Sequence, residues 1–231
     1  MASDFKGFSK DFFGFFIELS ENNNREWFNA NKAHYTDIVQ NEMVEFITAI
    51  APHLEKVSPH YIANPKRHGG SMFRIYKDVR FAKDKRPYKD HAACQFRHNA
   101  GKDAHAPGFY VHIATDEIIF GGGIWKPPSD KLKLVRERIA ERPDDWKKVT
   151  SNKRLKDTFG GVAGDGLVRP PKGFDPKHKY IDDLKRQSYF AMRRTKPSSA
   201  RSKNFVDEVA QTFKAASPLM KFLNDALGQP Y

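Results

Sequence analysis

The sequence contains a single cysteine, Cys94, among 231 residues. One cysteine excludes an internal disulfide, and its place in an apolar run favours a packed, inert thiol over a nucleophile. The sequence also lacks any uncharged apolar run of the roughly 18 residues that a membrane span needs. Its amino-terminal apolar stretch is interrupted by Lys6, Lys10, Asp11 and Glu18, which argues against a signal peptide. Together these absences predict a cytoplasmic protein.

The motifs that mark common cofactor sites are also missing. Gly121, Gly122 and Gly123 are followed by Ile124 and Trp125 rather than by Gly-Lys-Ser/Thr, so they do not form a phosphate-binding P-loop. They do not fit a dinucleotide fingerprint, and the chain has no nucleophile elbow or paired-carboxylate motif. The sequence therefore predicts no cofactor and leaves open whether the protein is an enzyme.

Four histidines, His91, His98, His105 and His112, recur at a spacing of seven residues. Their segment is predicted as strand and loop, so a spacing that would align side chains on a helix aligns nothing here. No pair stands at the spacing of a known metal motif, and no cysteine joins them. We therefore predict no metal site.

The positive charge of the chain is unevenly distributed. The net charge is +12, yet residues 1–60 carry five cations and nine anions, whereas residues 61–100 carry ten and three, and residues 131–231 carry 23 and 12. A field of this sign attracts nucleic acid, nucleotides or other polyanions. Basic proteins without such partners have similar totals, so charge alone names no ligand.

The amino-terminal region, residues 9–56, is predicted to be helical. Residues 9–20 place Phe12, Phe15 and Phe16 on one face, with Ser9 as the N-cap. The apolar spacing over residues 35–54 predicts a further long helix, which Pro52 is expected to kink or end.

The apolar period then changes to two residues. We expect strands at 72–77, 92–97, 108–114 and 117–121, the last two joined as a hairpin. Residues 129–231 are predicted to be mainly helical, with one added strand near 189–194. The first of these helices, at 129–141, is expected to be capped by Ser129 or Asp130, a second begins at Pro143, and the last region is expected to break at Pro218.

These elements predict an α+β fold in a single domain, residues 1–231. Strands that follow one another without crossover helices pair antiparallel. The expected architecture is a central, mainly antiparallel sheet over residues 71–125, with the amino-terminal and carboxy-terminal helices packed on it. Most of the nineteen phenylalanines are expected inside.

Charged and aromatic residues are most densely mixed in residues 71–91. Between Arg74 and Asp90 there are seven cations and three carboxylates, interleaved with aromatic rings. In the predicted strand and its continuation, Arg74, Asp78 and Arg80 share one side, where Asp78 would orient two guanidinium groups as an anion clamp. The alternative interpretation is an exposed salt-bridge ladder that contributes little.

The turn at Pro87 is expected to display more cations on a loop. The predicted ligand contacts in this part are Lys83, Lys85, Tyr88 and Lys89. A solvated, lysine-rich hairpin is the alternative.

A second stretch, residues 118–125, is expected to lie beside the first. Gly121, Gly122 and Gly123 would let backbone amides approach a ligand closely, and Trp125 would stack on a base. The alternative is a bulge that lets Trp125 pack. His112, on the polar side of a predicted strand, is either an acid or base or a hydrogen-bonded sheet residue.

Several segments, taken in order, resemble one family. They are NNNREWFNANKAHY, RIYKDVRFAKDKRPYK, GFYVHI, FGGGIWKP and RPPKGFDPKHKYIDDLKRQSYF, and they resemble the bacterial and fungal family known as domain of unknown function 2461. The resemblance covers nearly the whole chain from about Phe12 and implies a single full-length domain. Because the family consists of hypothetical proteins, the resemblance indicates which residues belong to a site but assigns no role to them. It adds Asn23, Arg25 and Trp27 to the candidate site residues.

Three functions remain open at this point. The leading hypothesis is a site for a phosphate-bearing ligand, either a nucleotide or single-stranded nucleic acid, in which Arg74 and Arg80 hold phosphate and Tyr88 stacks on a base. The second is an enzyme acting on an anionic small molecule, with Asp78 or His112 as acid or base. The third is a protein-interaction module. The sequence predicts no membrane partner and does not determine the oligomeric state.

Overall fold

The computed structural model describes residues 5–100 and 106–231, and its centre is a five-stranded sheet. The strands are β1 Tyr61–Ile62, β2 His91–His98, β3 Gly108–Ala114, β4 Ile118–Ile124 and β5 Tyr189–Thr195. They lie in the order β1-β2-β3-β4-β5, and each is antiparallel to the next. The predicted α+β class and antiparallel sheet are confirmed.

Helices precede and follow the sheet, as the periodicity predicted. They are α1 Lys10–Glu21, α2 Arg25–Ala30, α3 Lys32–His34, α4 Asn41–Val57, α5 Ser129–Glu141, α6 Pro143–Thr150, α7 Lys153–Phe159, α8 Ile181–Leu184, α9 Pro197–Ala200 and α10 Phe205–Ala226, with a π-helical segment Tyr35–Gln40 before α4. No helix in residues 5–100 or 106–231 combines the length and the apolar character needed to cross a bilayer.

Helix starts follow local capping chemistry only in part. The Ser9 hydroxyl accepts a 3.0 Å hydrogen bond from the Phe12 amide, which confirms the predicted cap of α1. Helix α5 has its N-cap at Pro128 with no side-chain hydrogen bond, so the predicted cap at Ser129 or Asp130 is wrong. Both residues already belong to the first turn of the helix.

Two internal prolines do not end their helices. Pro218 lies within α10, contrary to the expected break, and α4 continues past Pro52 for five residues to Val57. A proline in a helix interior costs about 3 kcal/mol because it removes a hydrogen bond and crowds the preceding turn. In α10, Ala216 and Leu219 on either side of Pro218 are completely buried, so tertiary packing outweighs this cost.

The helices pack on one face of the sheet, called here the core face. Its strand residues are completely buried and are Cys94, Phe96, Phe109, Val111, Ile113, Ile118, Phe120, Ile124, Tyr189 and Ala191. The Phe213 ring of α10 contacts the rings of Phe96 and Phe109 at centroid distances of 5.8 and 4.6 Å. Residues of α10 belong to both apolar clusters of the protein, so the chain forms a single domain.

Candidate functional site

Residues 71–91 join the sheet only at the outer edge of β2. Met72 forms an isolated bridge with Cys94, and the Phe73 amide donates to the Ala93 carbonyl at 2.9 Å. The predicted strand at 72–77 is therefore wrong beyond this contact. The chain then turns away into a hairpin whose legs meet at a Tyr76–Tyr88 bridge.

Aromatic packing on α2 explains why this hairpin leaves the sheet. The buried Tyr88 ring stacks on Phe28 at a centroid distance of 4.1 Å, and the Tyr76 ring lies 6.0 Å from Phe28. Tyr88 is thus a core residue and is not displayed to stack on a base, contrary to the expectation from the sequence. Burying this ring stabilises the hairpin against α2.

Asn23, one of the three candidates that the family resemblance added, positions this hairpin. The Asn23 side chain donates to the Tyr88 carbonyl and accepts from the Tyr88 amide, both at 3.1 Å. Trp27 packs on Phe15 with ring centroids 5.6 Å apart, and Arg25 is exposed nearby. Asn23 therefore fixes the hairpin to the helical layer, a role that sequence spacing did not indicate.

We expect Asn23→Ala to destabilise the protein by about 1 to 2 kcal/mol, because the partly buried amide and carbonyl of Tyr88 lose their hydrogen bonds to this side chain. Urea unfolding followed by circular dichroism measures the change. Asn29→Ala, at an exposed position of α2, is the matched control and should change stability by less than about 0.5 kcal/mol. Equal stability of the two variants would contradict the docking role.

The predicted anion clamp forms in part. Arg80 donates to both oxygens of Asp78, at 2.9 and 2.7 Å, and these hydrogen bonds lower the pKa of Asp78 to about 2, with a smaller contribution from Arg74. Both side chains are exposed. A carboxylate held in this way is a poor acid or base, and its charge neutralises the guanidinium that was predicted to hold phosphate.

The remaining hairpin cations have different surroundings. Lys77 and Arg86 both pair with Asp84, at 2.9 and 2.8 Å. The Lys85 ammonium donates to the Val79 carbonyl at 3.0 Å, while Lys83 is exposed. The hairpin is therefore a mixture of paired and solvated charges, which matches the salt-bridge interpretation better than the clamp.

The three glycines lie inside β4. A Cβ on Gly121 would meet the Ala191 carbonyl at 2.0 Å, and one on Gly122 would meet Met220 and Phe109 at 2.9 Å. Close approach of β5 and α10 thus accounts for these positions. Since β3 separates β4 from β2, the expected adjacency of residues 118–125 to residues 71–91 is wrong.

The side of the sheet opposite the core face collects aromatic and basic side chains. This second face consists of His91, Ala93, Gln95 and Arg97 of β2, Tyr110 and His112 of β3, Ile119, Gly121 and Gly123 of β4, and Phe190, Met192 and Arg194 of β5. Its larger side chains are half-buried or exposed, unlike those of the core face. The second face is therefore the part of the sheet that a ligand can reach.

Two groups from outside the strands extend the second face. At the β2 edge, the Phe73 ring lies 6.3 Å from Tyr110, with Lys89 and Arg97 at 5.4 and 6.0 Å from its centroid. At the other side, the ring of Trp125, 54% exposed, lies 5.3 Å from Phe190. Lys89 and Trp125, both predicted contacts, thus border the same face from opposite edges.

Lys89 and Arg97 differ in their partners from Lys77, Arg80 and Arg86 of the hairpin, which pair with carboxylates. The Lys89 ammonium donates to the Arg74 carbonyl at 2.7 Å, and Arg97 donates to the Gln95 side chain at 3.3 Å. Within residues 5–100 and 106–231, neither forms an ion pair with a carboxylate. Partial burial lowers the pKa of Lys89, with Arg74 adding to the effect. Their charge is therefore available to an anion.

Two imidazoles lie together at one end of the second face. The rings of His91 and His112 have centroids 4.0 Å apart, Asp90 contacts His91 Nδ1 at 3.0 Å, and the Tyr110 hydroxyl contacts His112 Nδ1 at 3.2 Å. Burial lowers the pKa of His91, and burial together with the neighbouring His91 lowers the pKa of His112 to about 4. Both rings are neutral near pH 7.

The other histidines of the regular series are dispersed. His98 is buried and contacts the Pro230 carbonyl through Nε2 at 2.8 Å, and His105 lies outside the described residues. In the described part of the chain, no three histidine, cysteine or acidic residues are grouped as metal ligands. Cys94 is completely buried, and burial raises the pKa of its thiol, as expected of a packed residue.

Two clefts lie elsewhere on the molecule. One, of about 300 Å³, lies between α1 and α9 and includes Phe13 and Arg201, and the other, of about 380 Å³, lies between α6 and α10. Neither includes a residue of the second face. The second face is thus an extended surface and differs from both clefts.

Sequence reasoning missed much of the second face. It overlooked Phe73, Gln95, Arg97, Phe190, Met192 and Arg194. The alternation of side chains along a strand could have predicted that Gln95 and Arg97 share one side of β2. It could likewise have predicted that Phe190 and Met192 share one side of β5. Which strands are neighbours, and hence which of these side chains meet, depends on the tertiary register.

The fold and this surface define an α+β protein whose antiparallel sheet is covered by helices on one face and carries basic and aromatic groups on the other. The chain belongs to the family described as "Conserved hypothetical protein (DUF2461)", whose model matches residues 11–222. No curated protein matches the sequence.

Proposed function

We propose that the second face binds a phosphate-bearing ligand through its base and its phosphate, and that the ligand is single-stranded nucleic acid or a nucleotide in the cytoplasm. The observation that carries the proposal is the grouping of Phe73, Tyr110, Lys89 and Arg97, in which neither cation is paired with a described carboxylate. Aromatic rings stack on bases of any sequence, and ammonium and guanidinium groups bind phosphate.

The spread of the aromatic groups supports the same ligand class. Tyr110 lies on β3 and Phe190 on β5, two strands and two positions of register apart, or about 12 Å. The side-chain-free Gly121 and Gly123 lie between them on β4. By analogy, sheets that recognise RNA present aromatic side chains on the solvent face in a comparable way. The net charge of +12 adds a favourable long-range field.

Fluorescence anisotropy with a labelled single-stranded oligonucleotide tests the proposal. Lys89 and Arg97 are available to phosphate, and the Lys126 ammonium lies 5.6 Å from the Trp125 ring centroid. With these three cations, log K should fall with log salt at a slope of about −2. Trp125→Ala should weaken binding about tenfold through lost stacking, and Arg97→Gln about threefold with a shallower salt slope.

Lys147→Gln is the matched control for Arg97→Gln, since Lys147 is an exposed cation on α6 in the helical layer. It should leave the affinity within about twofold. The proposal is overturned if the affinity does not depend on salt. It is also overturned if the double variant Trp125→Ala, Arg97→Gln binds the oligonucleotide as tightly as the natural protein does.

The paired imidazoles favour one second candidate, an enzyme acting on an anionic small molecule with His112 as base. In the tautomer whose Nδ1–H donates to the Tyr110 hydroxyl oxygen, the neutral His112 ring has its lone pair at Nε2, where it can accept a proton. This candidate predicts that His112→Gln abolishes turnover while ligand affinity persists. Asp78 does not share this support, because Arg80 holds its carboxylate ionised.

The interaction-module hypothesis stays a prediction. The amino-terminal helices on which it relied direct Phe12, Phe15 and Phe16 into the core and leave charged residues outside. Sedimentation velocity across a range of concentrations tests self-association, and a monomer at every concentration would contradict that form of the hypothesis.

A further inference from the structure

The tip of the hairpin, residues 79–85, presents one aromatic ring to solvent. Phe81 is 95% exposed, and the Arg80 guanidinium lies 5.9 Å from its centroid. The Lys85 ammonium donates to the Val79 carbonyl at 3.0 Å and closes the loop. A single exposed apolar side chain is common on protein surfaces, so the exposure alone carries no conclusion.

The surroundings of Phe81 distinguish it from an ordinary exposed residue. Four cations lie close to it in sequence, Arg80, Lys83, Lys85 and Arg86, against two carboxylates, Asp78 and Asp84. The tip therefore combines a stacking surface with a net positive charge, which is the combination that single-stranded nucleic acid requires.

The hairpin is also continuous with the second face. Its legs meet at the Tyr76–Tyr88 bridge, and Lys89, the next residue, contacts Phe73 on the second face. From Tyr76 to Phe81 the chain advances five residues, which span at most about 17 Å. The tip therefore lies within reach of a flexible ligand that leaves the second face at Phe73 and Lys89.

We propose that Phe81 is an additional base-stacking position for the ligand of the second face, and that this ligand is consequently a single strand of several nucleotides rather than a mononucleotide. The inference rests on the proposed function. A mononucleotide is too short to occupy the second face and the tip together, whereas a polymer reaches both. An anionic lipid surface is less well matched, because Asp78 and Asp84 flank the ring and would approach the membrane with it.

Length-dependent binding tests this inference. Anisotropy titrations use oligonucleotides of about 4 and about 16 nucleotides, the two ends of the usual range of site sizes. Phe81→Ser should weaken binding of the long strand about fivefold and leave the short strand within about twofold. Val168→Ser is the matched control, since Val168 is also 95% exposed but lies in the loop before α8. It should change neither affinity.

Three outcomes overturn the inference. The first is an unchanged affinity of Phe81→Ser for the long strand, and the second is an equal loss of affinity for both strand lengths. The third is a Phe81→Ser protein that binds both strands normally but no longer sediments with phosphatidylserine vesicles. If Trp125→Ala weakens both lengths while Phe81→Ser weakens neither, only the role of the tip is lost. If no oligonucleotide binds the natural protein, the proposed function fails as well. Circular dichroism melting should show that Phe81→Ser folds normally.

Discussion

Gly123→Ala should destabilise the protein by about 3 to 5 kcal/mol, a large fraction of the roughly 5 to 15 kcal/mol by which an ordinary domain is stable. Gly123 has φ at +153°, and a Cβ there would lie 2.4 Å from both the Phe190 Cα and the Tyr189 carbonyl oxygen. Backbone strain contributes about 1 to 3 kcal/mol and overpacking a similar amount. Because the obstructing atoms are backbone atoms of β5, side-chain rotation cannot relieve the clash.

Gly14→Ala is the matched control for this substitution. Gly14 lies in α1, and a Cβ there would meet nothing within 4 Å. The added methyl group should raise stability by about 0.5 to 1 kcal/mol, because alanine has the higher helix propensity. Urea denaturation of both variants measures the contrast. A Gly123→Ala protein that unfolds at the midpoint of the natural protein would show that β4 and β5 do not pair as described.

Acidification from pH 6.5 to pH 4 should destabilise the protein, and His112 should account for about 2 kcal/mol of the loss. Burial and the neighbouring His91 lower the pKa of His112 to about 4, below the ordinary value of 6.5. As pH falls, His112 therefore takes up a proton in the unfolded chain before it does so in the folded protein. The contribution of His112 to the free energy of unfolding is complete above pH 6.5 and is lost as the pH falls toward 4. The full shift corresponds to about 3 kcal/mol, reduced here because solvent reaches part of the ring.

His112→Gln should flatten this pH dependence. Glutamine cannot take up a proton, so the difference between the unfolding free energies at pH 6.5 and pH 4 should shrink by about 2 kcal/mol relative to the natural protein. The charged neighbours Asp90, Asp116 and Glu117 oppose the shift only in part. His68→Gln, at an exposed loop position, is the control and should leave the pH profile unchanged. Identical profiles for the natural protein and His112→Gln would refute this account.

The candidate site was only partly predictable from the sequence. The density of charge in residues 71–91 indicated a basic segment, and Lys89 and Trp125 do border the second face. The pairing of Arg80 with Asp78, and of Arg86 with Asp84, was not evident, since spacing alone does not tell a clamp from a neutralised ion pair. Tyr88 was misassigned because an aromatic residue beside lysines has the same pattern whether it packs inward or stacks on a ligand.

Local chemistry in the sequence determined the helical and strand segments that follow clear apolar periods: α1 with its Ser9 cap, strands β2 to β4 and the antiparallel order that short connections impose. Long-range packing decided the rest. Pro218 stays inside α10 because its buried neighbours stabilise that helix. Gly123 is required by the close approach of β5, which lies more than 60 residues away in the chain. The second face likewise arises from the register of four strands, and no local pattern encodes which residues the neighbouring strands bring together.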